Sequence, residues 1–291
     1  MNIRTKKLKN GFKIPEYGLG TWQMGGRDER DLSNDDKADV EAIKNAIAAG
    51  ITHIDTAEIY ANGHSEELIA KALKEAYTKR ENIFLVSKVP SEHQGYDGVI
   101  NACKQSLKRL ETDCLDLYLL HDYDNVFPLD ETMRAMVELK DKGLIKNIGV
   151  SNFGIEHLKE AQGYCKYPIV CDQVHYNLRV REVEKNGLLQ YCQKNDIMII
   201  AYRPTEKGNM FNQMPAIIQE MCKKYDKTYP QIAINWLISQ PNVVTIVKTR
   251  NPAHLKENLG ALGYSMEPKD IEHLRDEYPN QIYVSDVIPL G

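Results

Sequence analysis

The stretch ITHIDTAEIYANGHSEELIAKAL, residues 51–73, contains one complete repeat of the fold. It opens with apolar and β-branched residues typical of a buried strand, passes through a short polar segment, and closes with an amphipathic helical pattern. Ser65 is expected to cap that helix, and Glu66 and Glu67 suit its positive end. One apolar face is formed by Leu68, Ile69, Ala72, Leu73 and Ala76. The repeat therefore predicts a strand followed by a helix that packs on a sheet.

The same alternation recurs along the whole chain. Because the apolar runs are separated by helical patterns, they indicate a parallel sheet that is covered on its outer face. Eight such units favour an α/β fold closed into a (β/α)8 TIM barrel. An open doubly wound sheet is the alternative, but GLGTWQ at 18–23 lacks the third glycine of a dinucleotide-binding turn. Strands are predicted near 17–20, 51–55, 82–87, 115–120, 145–150, 169–174, 196–202 and 243–247.

We predict a single domain over residues 1–291, because α/β barrels often reach this length and no linker divides the chain. An N-terminal β-hairpin is expected at about 7–14, with Asn10-Gly11 at its turn. An extra C-terminal helix is predicted at 267–277. The tail at about 280–291 has no clear periodicity and is predicted to be a loop.

The composition is that of an ordinary globular protein, with 42% hydrophobic and 27% charged residues. A net charge of -4 offers no broad basic field, so nucleic acid is not an expected partner. The chain has no apolar signal core and no run of about 18 apolar residues, which predicts a cytoplasmic protein that does not interact with membranes. Six scattered cysteines without a CxxC spacing argue against zinc and disulfides.

Polar side chains follow most of the predicted strands. Any one of them alone is more often a loop or structural residue than a functional one. In a barrel, however, the carboxyl ends of all strands meet at one rim, so these groups would face a common volume. They are Asp55 and Tyr60, Lys88, His121, Ser151 and Asn152, Gln173, Tyr202, and Lys248 and Thr249.

Four of these groups have chemistry that fits together. A tyrosine hydroxyl with a pKa of about 10 is a poor proton donor at neutral pH. The ammonium of Lys88 is expected to lower the pKa of Tyr60, while Asp55 keeps that ammonium charged. A neutral His121 would donate a hydrogen bond to a carbonyl oxygen. The set suits protonation of a carbonyl oxygen while another species attacks the carbon.

With these residues in place, the sequence resembles the aldo-keto reductase superfamily almost from end to end. The resemblance implies a (β/α)8 barrel that binds NADPH or NADH and reduces aldehydes or ketones to alcohols by hydride transfer. Asp55, Tyr60, Lys88 and His121 match the family's catalytic residues, with Tyr60 as general acid. The matching motifs are GLGTW (18–22), DTAEIYANGHSEELIAKAL (55–73), VSKV (86–89), LDLYLLH (115–121), GLIKNIGVSNF (143–153), Q-x-x-Y-N (173–177), AYRP (201–204) and IVKTRNPAHLKEN (246–258).

The resemblance also assigns the cofactor contacts. It implies that Ser151, Asn152 and Gln173 bind the nicotinamide carboxamide and that Tyr202 stacks on the ring. Gly20, Thr21 and Trp22 would line the cofactor and the substrate mouth, and Asp55 is also a cofactor contact. The other contacts would be Arg203, Pro204, Thr205 and Gly208 at the pyrophosphate, and Lys248, Thr249, Arg250, His254, Glu257 and Asn258 at the adenosine. Independently of the resemblance, Asn251 and Pro252 read as N-cap and first residue of a helix whose free amides would face an anion.

Two positions depart from the family pattern. His254 stands where an arginine is usual, and a mostly neutral imidazole holds a phosphate less well than a guanidinium. NADPH is therefore the favoured cofactor, with NADH possible. Asp122 follows His121 where many relatives have an aromatic residue, which predicts a more polar substrate pocket. The expected substrate contacts are Trp22, Tyr60, His121 and Asp122, with the loop 89–98 and the tail from Asn280 closing over a small carbonyl compound.

Two other functions are compatible with parts of the sequence. A cofactor-sensing regulatory subunit, as some members of the superfamily are, would show extra interaction segments or altered catalytic residues, and the chain has neither. A metal-dependent barrel hydrolase is suggested by His53-x-Asp55, but lysine and tyrosine occupy the other expected ligand positions, so no metal is predicted. The protein is expected to be a monomer or a weak oligomer.

Overall fold

The strands form where large apolar and β-branched residues follow one another, and the computed structural model, which describes residues 3–290, buries nearly all of them. A hairpin of β1 (Thr5–Lys7) and β2 (Lys13–Pro15) precedes eight parallel strands that close into a barrel. These are β3 (Tyr17–Gly20), β4 (His53–Asp55), β5 (Phe84–Val89), β6 (Leu117–Leu120), β7 (Ile148–Ser151), β8 (Ile169–His175), β9 (Met198–Tyr202) and β10 (Val243–Val247). The predicted (β/α)8 barrel is confirmed, and every strand begins within three residues of its expected start.

Helices cover the outer face of the barrel, which explains why the strands have no polar face. Two of them lie between β9 and β10, and one follows the eighth unit, as predicted. The helices are α1 (Asp36–Ala48), α2 (His64–Glu75), α3 (Tyr96–Arg109), α4 (Leu129–Asp141), α5 (Ile155–Tyr164), α6 (Glu182–Lys185), α7 (Leu188–Lys194), α8 (Ala216–Tyr225), α9 (Tyr229–Ile238), α10 (Pro252–Leu259) and α11 (Pro268–Glu277). No helix within residues 3–290 is both long and apolar enough to span a membrane.

The hairpin covers the amino-terminal end of the barrel. It is slightly longer than predicted, with Lys7 opposite Lys13 and Gly11 at a φ of 96° in the turn. Leu8, Phe12 and Ile14 pack against interior residues of β5, β6, β8, β9 and β10. A functional site is thereby restricted to the opposite end, where the carboxyl ends of the strands meet.

The start of α2 differs from the prediction. The helix begins at His64 after Gly63, whose φ of 84° is left-handed, so Ser65 lies inside the first turn and caps nothing. The Ser65 hydroxyl instead donates to Thr21 Oγ1 at 3.0 Å. Glu66 is fully buried and binds residues of other elements rather than the helix end. The expectation of a serine cap was wrong because these side chains have tertiary partners that compete with the helix terminus.

Asp172 of β8 is a fully buried carboxyl group that faces away from the rim network. The amide of Phe153 lies 3.5 Å from Oδ1, and Oδ2 has no hydrogen-bond partner among residues 3–290. Burial raises the pKa of Asp172 to about 8. In the unfolded chain an aspartate has a pKa of about 3.9, so the folded state retains a proton between these two values. The stability of the protein should therefore fall as the pH rises through this window.

Asp172→Asn should remove this loss, because the amide oxygen still accepts from Phe153 and cannot ionise. We expect the free energy of unfolding of the variant to exceed that of the wild type by about 1 kcal/mol or more at pH 8, with little gain at pH 4. Urea denaturation at both pH values measures the difference. Asp276→Asn, at an exposed carboxylate of α11, serves as the matched control. Parallel pH profiles for Asp172→Asn and the wild type would contradict the assignment.

Candidate active site

A cavity of about 740 Å³ opens at the carboxyl ends of the barrel strands. All of the predicted site residues line it except Lys88, which lies beneath its floor, and Asp122. The predicted residues on its wall are Gly20, Thr21, Trp22, Asp55, Tyr60, His121, Ser151, Asn152, Gln173, Tyr202, Arg203, Pro204, Thr205, Gly208, Lys248, Thr249, Arg250, His254, Glu257 and Asn258.

The segment after β4 presents Tyr60 to the cavity through an unusual backbone. Tyr60 begins a short 3-10 turn in which Ala61 and Asn62 both have a φ of 53°, a left-handed conformation that L-residues seldom adopt. The amide of Ala61 donates to the carbonyl of Arg27 and that of Asn62 to the carbonyl of Asp28. The turn after β4 is thus held by the loop after β3, which fixes the tyrosine.

Lys88 is fully buried and has three oxygen neighbours. Its Nζ donates to Asp55 Oδ1 at 2.6 Å and to the carbonyl of Thr56 at 2.7 Å, and it lies 3.4 Å from Tyr60 Oη. Burial opposes the charged form, but Asp55 and Tyr60 together outweigh it, so the pKa of Lys88 is raised above its ordinary value. Asp55 Oδ2 accepts from Gln173 Nε2 at 2.7 Å. The ammonium therefore remains charged, as predicted.

The predicted pKa shift of Tyr60 has the wrong sign. Burial raises the pKa of the phenol, and the nearby Lys88 ammonium reduces that rise without reversing it. The sequence showed the cation but not the depth of burial. Tyr60 consequently keeps its proton at neutral pH, and Lys88 would stabilise the phenolate formed once that proton is transferred.

His121 lies next to Tyr60, with the two ring centroids 5.6 Å apart in an edge-on arrangement. Burial, assisted by the charge of Lys88, lowers the pKa of His121 to about 3. Its imidazole is therefore neutral at physiological pH, as expected from the sequence, and can offer one N–H to a group in the cavity.

The opposite wall is an interlinked set of polar groups from β7, β8 and β9. Ser151 Oγ donates to the Gln173 carbonyl at 2.8 Å, and Asn152 Nδ2 donates to the His121 carbonyl at 3.0 Å. Asn152 has a φ of 59°, which directs its side chain towards Tyr202, whose hydroxyl donates to Asn152 Oδ1 at 2.9 Å. These contacts orient the Tyr202 ring beside the cavity.

The far end of the cavity is electropositive. Asn251 caps α10 by accepting from the Ala253 amide at 2.8 Å, with Pro252 in the first turn, as predicted. Lys248 and His254 line the same region. Burial, together with the neighbouring Arg250, lowers the pKa of Lys248. A lysine beside the first turn of a helix is suited to hold a phosphate.

Arg250 also lines this end, but its guanidinium has protein partners. It forms an ion pair with the fully buried Asp39 carboxylate and donates to the Asn34 side chain at 2.8 Å and the Gln23 carbonyl at 3.0 Å. Asp39 Oδ2 also accepts from the Gly25 amide at 2.9 Å. Arg250 therefore fixes the loop after β3, and fewer of its donors face the cavity than the sequence suggested.

Asp122 is not on the cavity wall, which corrects its expected contact with substrate. Its backbone carbonyl accepts from Gln94 Nε2, and burial followed by the nearby Glu92 raises the pKa of its carboxyl group. The loop 89–98 contributes no residue to the wall, whereas the tail contributes Val287 and Ile288. Other wall residues that the sequence did not single out include Asp28, Ile59, Lys207 and Phe211.

Lys207 could have been recognised from the sequence because it lies within the loop predicted to face the pyrophosphate. Its Nζ stands 4.5 Å from the centre of the Trp22 ring, which Arg203 also approaches at 5.6 Å. Val287 and Ile288 are adjacent apolar residues of the tail that was expected to close over the substrate, although the sequence did not name them. Asp28 and Ile59 carried no comparable signal.

His53 and Asp55 do not form the start of a metal site. The His53 ring lies inside the barrel against Phe84, and a Cβ at Gly18 would stand only 2.5 Å from its Nδ1. Burial lowers the pKa of His53 to about 4, while Asp55 is paired with Lys88. Within residues 3–290, no group of three or more His, Cys, Asp and Glu side chains is arranged to hold a metal ion.

Behind the rim, Glu66 of α2 supports the strand that carries Lys88. Its carboxylate accepts from Ser87 Oγ at 2.6 Å and from Arg109 Nε at 2.6 Å. Arg109 passes close to Gly63, where a Cβ would meet Nε at 2.5 Å. The left-handed glycine before α2 therefore gives both the required turn and room for this ion pair.

Comparison with known proteins gives a consistent result. The model of the aldo/keto reductase family matches residues 16–278. The chain is 35% identical to methylglyoxal reductase YeaE of Escherichia coli strain K12, over 96% of either protein. A crystal structure of a thermostable aldo-keto reductase in complex with the inhibitor epalrestat has a TM-score of 0.89 and 43% identity, covering 94% of this chain and 99% of the other.

A second solved structure, the aldo/keto reductase from Klebsiella pneumoniae in complex with NADP and acetate, has a TM-score of 0.83 and 31% identity. The alignment covers 99% of this chain and 100% of that enzyme. The match to the family model extends from the residue after the hairpin to the end of α11 and includes every strand of the barrel. The chain therefore belongs to the aldo/keto reductase family of oxidoreductases.

Proposed function

We propose that the protein reduces small aldehydes, including 2-oxoaldehydes, to alcohols with NADPH, and that Tyr60 is the general acid. The observation that carries the proposal is the buried Lys88 ammonium, which lies 3.4 Å from the Tyr60 hydroxyl and 2.6 Å from the Asp55 carboxylate at the floor of the cavity. The relative that is a methylglyoxal reductase supports a 2-oxoaldehyde as substrate.

The cavity has groups suited to both ends of a nicotinamide dinucleotide. Ser151, Asn152 and Gln173 offer amide and hydroxyl groups to a carboxamide, and the Tyr202 ring offers a stacking face. At the other end, Lys248 and the first turn of α10 face the position proposed for the adenosine phosphate. When bound, the cofactor supplies the hydride. The NADP complex of the Klebsiella relative supports this choice of cofactor.

The residues of the chain handle the proton. Tyr60 Oη donates its proton to the substrate's carbonyl oxygen as negative charge develops there. Lys88 stabilises the phenolate that remains, and Asp55 balances the buried ammonium. The neutral His121 donates a second hydrogen bond to the same oxygen and orients the carbonyl group. The Lys88 and Asp55 charges are held in place by their ion pair before the substrate binds, so they need not reorganise during the reaction.

Tyr60→Phe should lower kcat for aldehyde reduction by about 10²- to 10⁴-fold, because it removes only the proton donor. NADPH binding, measured by quenching of protein fluorescence, should change little. Tyr77→Phe, at a tyrosine that is 94% exposed, controls for the loss of a hydroxyl group. Wild-type turnover by Tyr60→Phe would show that another group supplies the proton.

His254→Arg should shift cofactor use towards NADPH. A guanidinium can clasp the 2'-phosphate with two charged hydrogen bonds, whereas a neutral imidazole offers one. We expect the ratio of kcat/KM with NADPH to kcat/KM with NADH to rise about tenfold, equivalent to roughly 1.4 kcal/mol. Steady-state assays with both cofactors measure the ratio.

Lys256→Arg is the matched control, because Lys256 is exposed on the same helix and does not line the cavity. The same ratio in His254→Arg and the wild type would exclude a role for position 254 in phosphate recognition. A wild-type enzyme that uses NADH with ten or more times the efficiency of NADPH would contradict the proposed preference itself.

A further inference from the structure

The C-terminal tail, residues 279–290, reaches the cavity although it contains no helix or regular strand. Its only ladder contact within the described part of the chain is a bridge between Ile282 and Val180, supported by hydrogen bonds from Arg181 N to the Ile282 carbonyl and from Ile282 N to the Arg179 carbonyl, each 2.8 Å. Val287 and Ile288 lie beyond this bridge and line the cavity. Side chains must therefore hold the end of the tail in place.

Glu182, the first residue of α6, holds both ends of that final segment. Its Oε2 accepts from the Ser285 amide at 2.8 Å and its Oε1 from the Leu290 amide at 3.0 Å. Glu182 is only 6% exposed and does not line the cavity. Val287 and Ile288 lie between the two anchored amides and form an apolar part of the cavity wall. The Glu182 carboxylate therefore sets their position.

His175, the last residue of β8, links the tail to the loop after β9. Its Nδ1 lies 2.9 Å from Ser285 Oγ, and its Nε2 lies 2.5 Å from Glu206 Oε1. Burial opposes ionisation of Glu206, but its contacts with His175 and Asn177 and the nearby charge of Arg203 together outweigh burial and lower the pKa of that carboxyl group. A carboxylate only accepts, so the hydrogen of the contact between His175 and Glu206 is on Nε2.

The serine completes the link. Ser285 Oγ accepts from the Val287 amide at 3.1 Å, so the chain of hydrogen bonds runs from the wall residue through Ser285 and His175 to Glu206. Glu206 precedes Lys207, which contacts Trp22 across the cavity. His175 also stacks on Tyr202 with ring centroids 5.3 Å apart and an angle of 11°. One imidazole thus touches the tail, the loop after β9 and the Tyr202 ring.

We propose that Glu182 and His175 are positioning residues that hold the tail so that Val287 and Ile288 form an apolar specificity wall, which selects carbonyl substrates bearing an apolar group beyond the carbonyl. This inference rests on the proposed reductase function. Neither residue contacts the reacting atoms. Loss of the anchor weakens binding of a substrate that reaches the wall and leaves reduction of a smaller one unchanged.

The test compares methylglyoxal with phenylglyoxal, which differ only in the group attached to the 2-oxoaldehyde. In Glu182→Gln one acceptor oxygen is replaced by an NH₂ group, so one backbone amide loses its partner. We expect KM for phenylglyoxal to rise about tenfold, with kcat for both substrates and KM for methylglyoxal within about twofold of the wild type. Ser285→Ala, which breaks the link to His175, should shift KM in the same direction.

Hydrogen exchange of a peptide covering 279–290 provides a readout that does not depend on turnover. Exchange at Ser285 and Leu290 should be faster in Glu182→Gln, whereas Glu277→Gln, an exposed glutamate of α11, should match the wild type. Unchanged exchange together with an unchanged phenylglyoxal KM in both Glu182→Gln and Ser285→Ala would overturn the inference. A wild type that reduces neither aldehyde while the variant exchanges faster would overturn the proposed reductase function and still support the anchor.

Discussion

The buried ion pair between Lys88 and Asp55 is the interaction on which the site depends. Two fully buried charges are costly unless each has good partners, and here the Thr56 carbonyl and Gln173 amide complete the set. The two residues come from the adjacent strands β4 and β5, whose register places Asp55 beside Val86. Pairing of these neighbouring strands therefore brings the two charges together, and Lys88 in turn places a cation next to Tyr60.

Much of this arrangement could be predicted because its signals are local. Apolar runs and helical periodicity identified all eight barrel strands, and the rule that polar groups at strand ends share one rim identified the polar strand-end residues of the cavity wall. The family resemblance supplied the other predicted wall residues. The prediction failed where a residue's environment depends on distant parts of the chain. Ser65 and Glu66 are bound by tertiary partners instead of the helix end, and burial reverses the expected pKa shift of Tyr60.

The contacts that shape the edges of the site were beyond prediction for the same reason. Arg250 and Asp39 meet across 211 positions of sequence, and no periodicity links them. The anchoring of the tail by Glu182 joins residues more than a hundred positions apart. Asp122 was expected in the pocket because it follows His121, but the chain turns away there. Proximity in sequence to a functional residue was a poorer guide than position at the end of a strand.

Gly63 shows how far the influence of such packing extends. It has no side chain to contribute, yet its left-handed backbone starts α2 and leaves space for Arg109. Any larger residue would displace that guanidinium from Glu66, which also binds Ser87, the neighbour of Lys88 in β5. A substitution at this glycine would thus act on the strand that carries Lys88, although Gly63 does not line the cavity. A survey of natural variants that looked only at cavity residues would overlook this position.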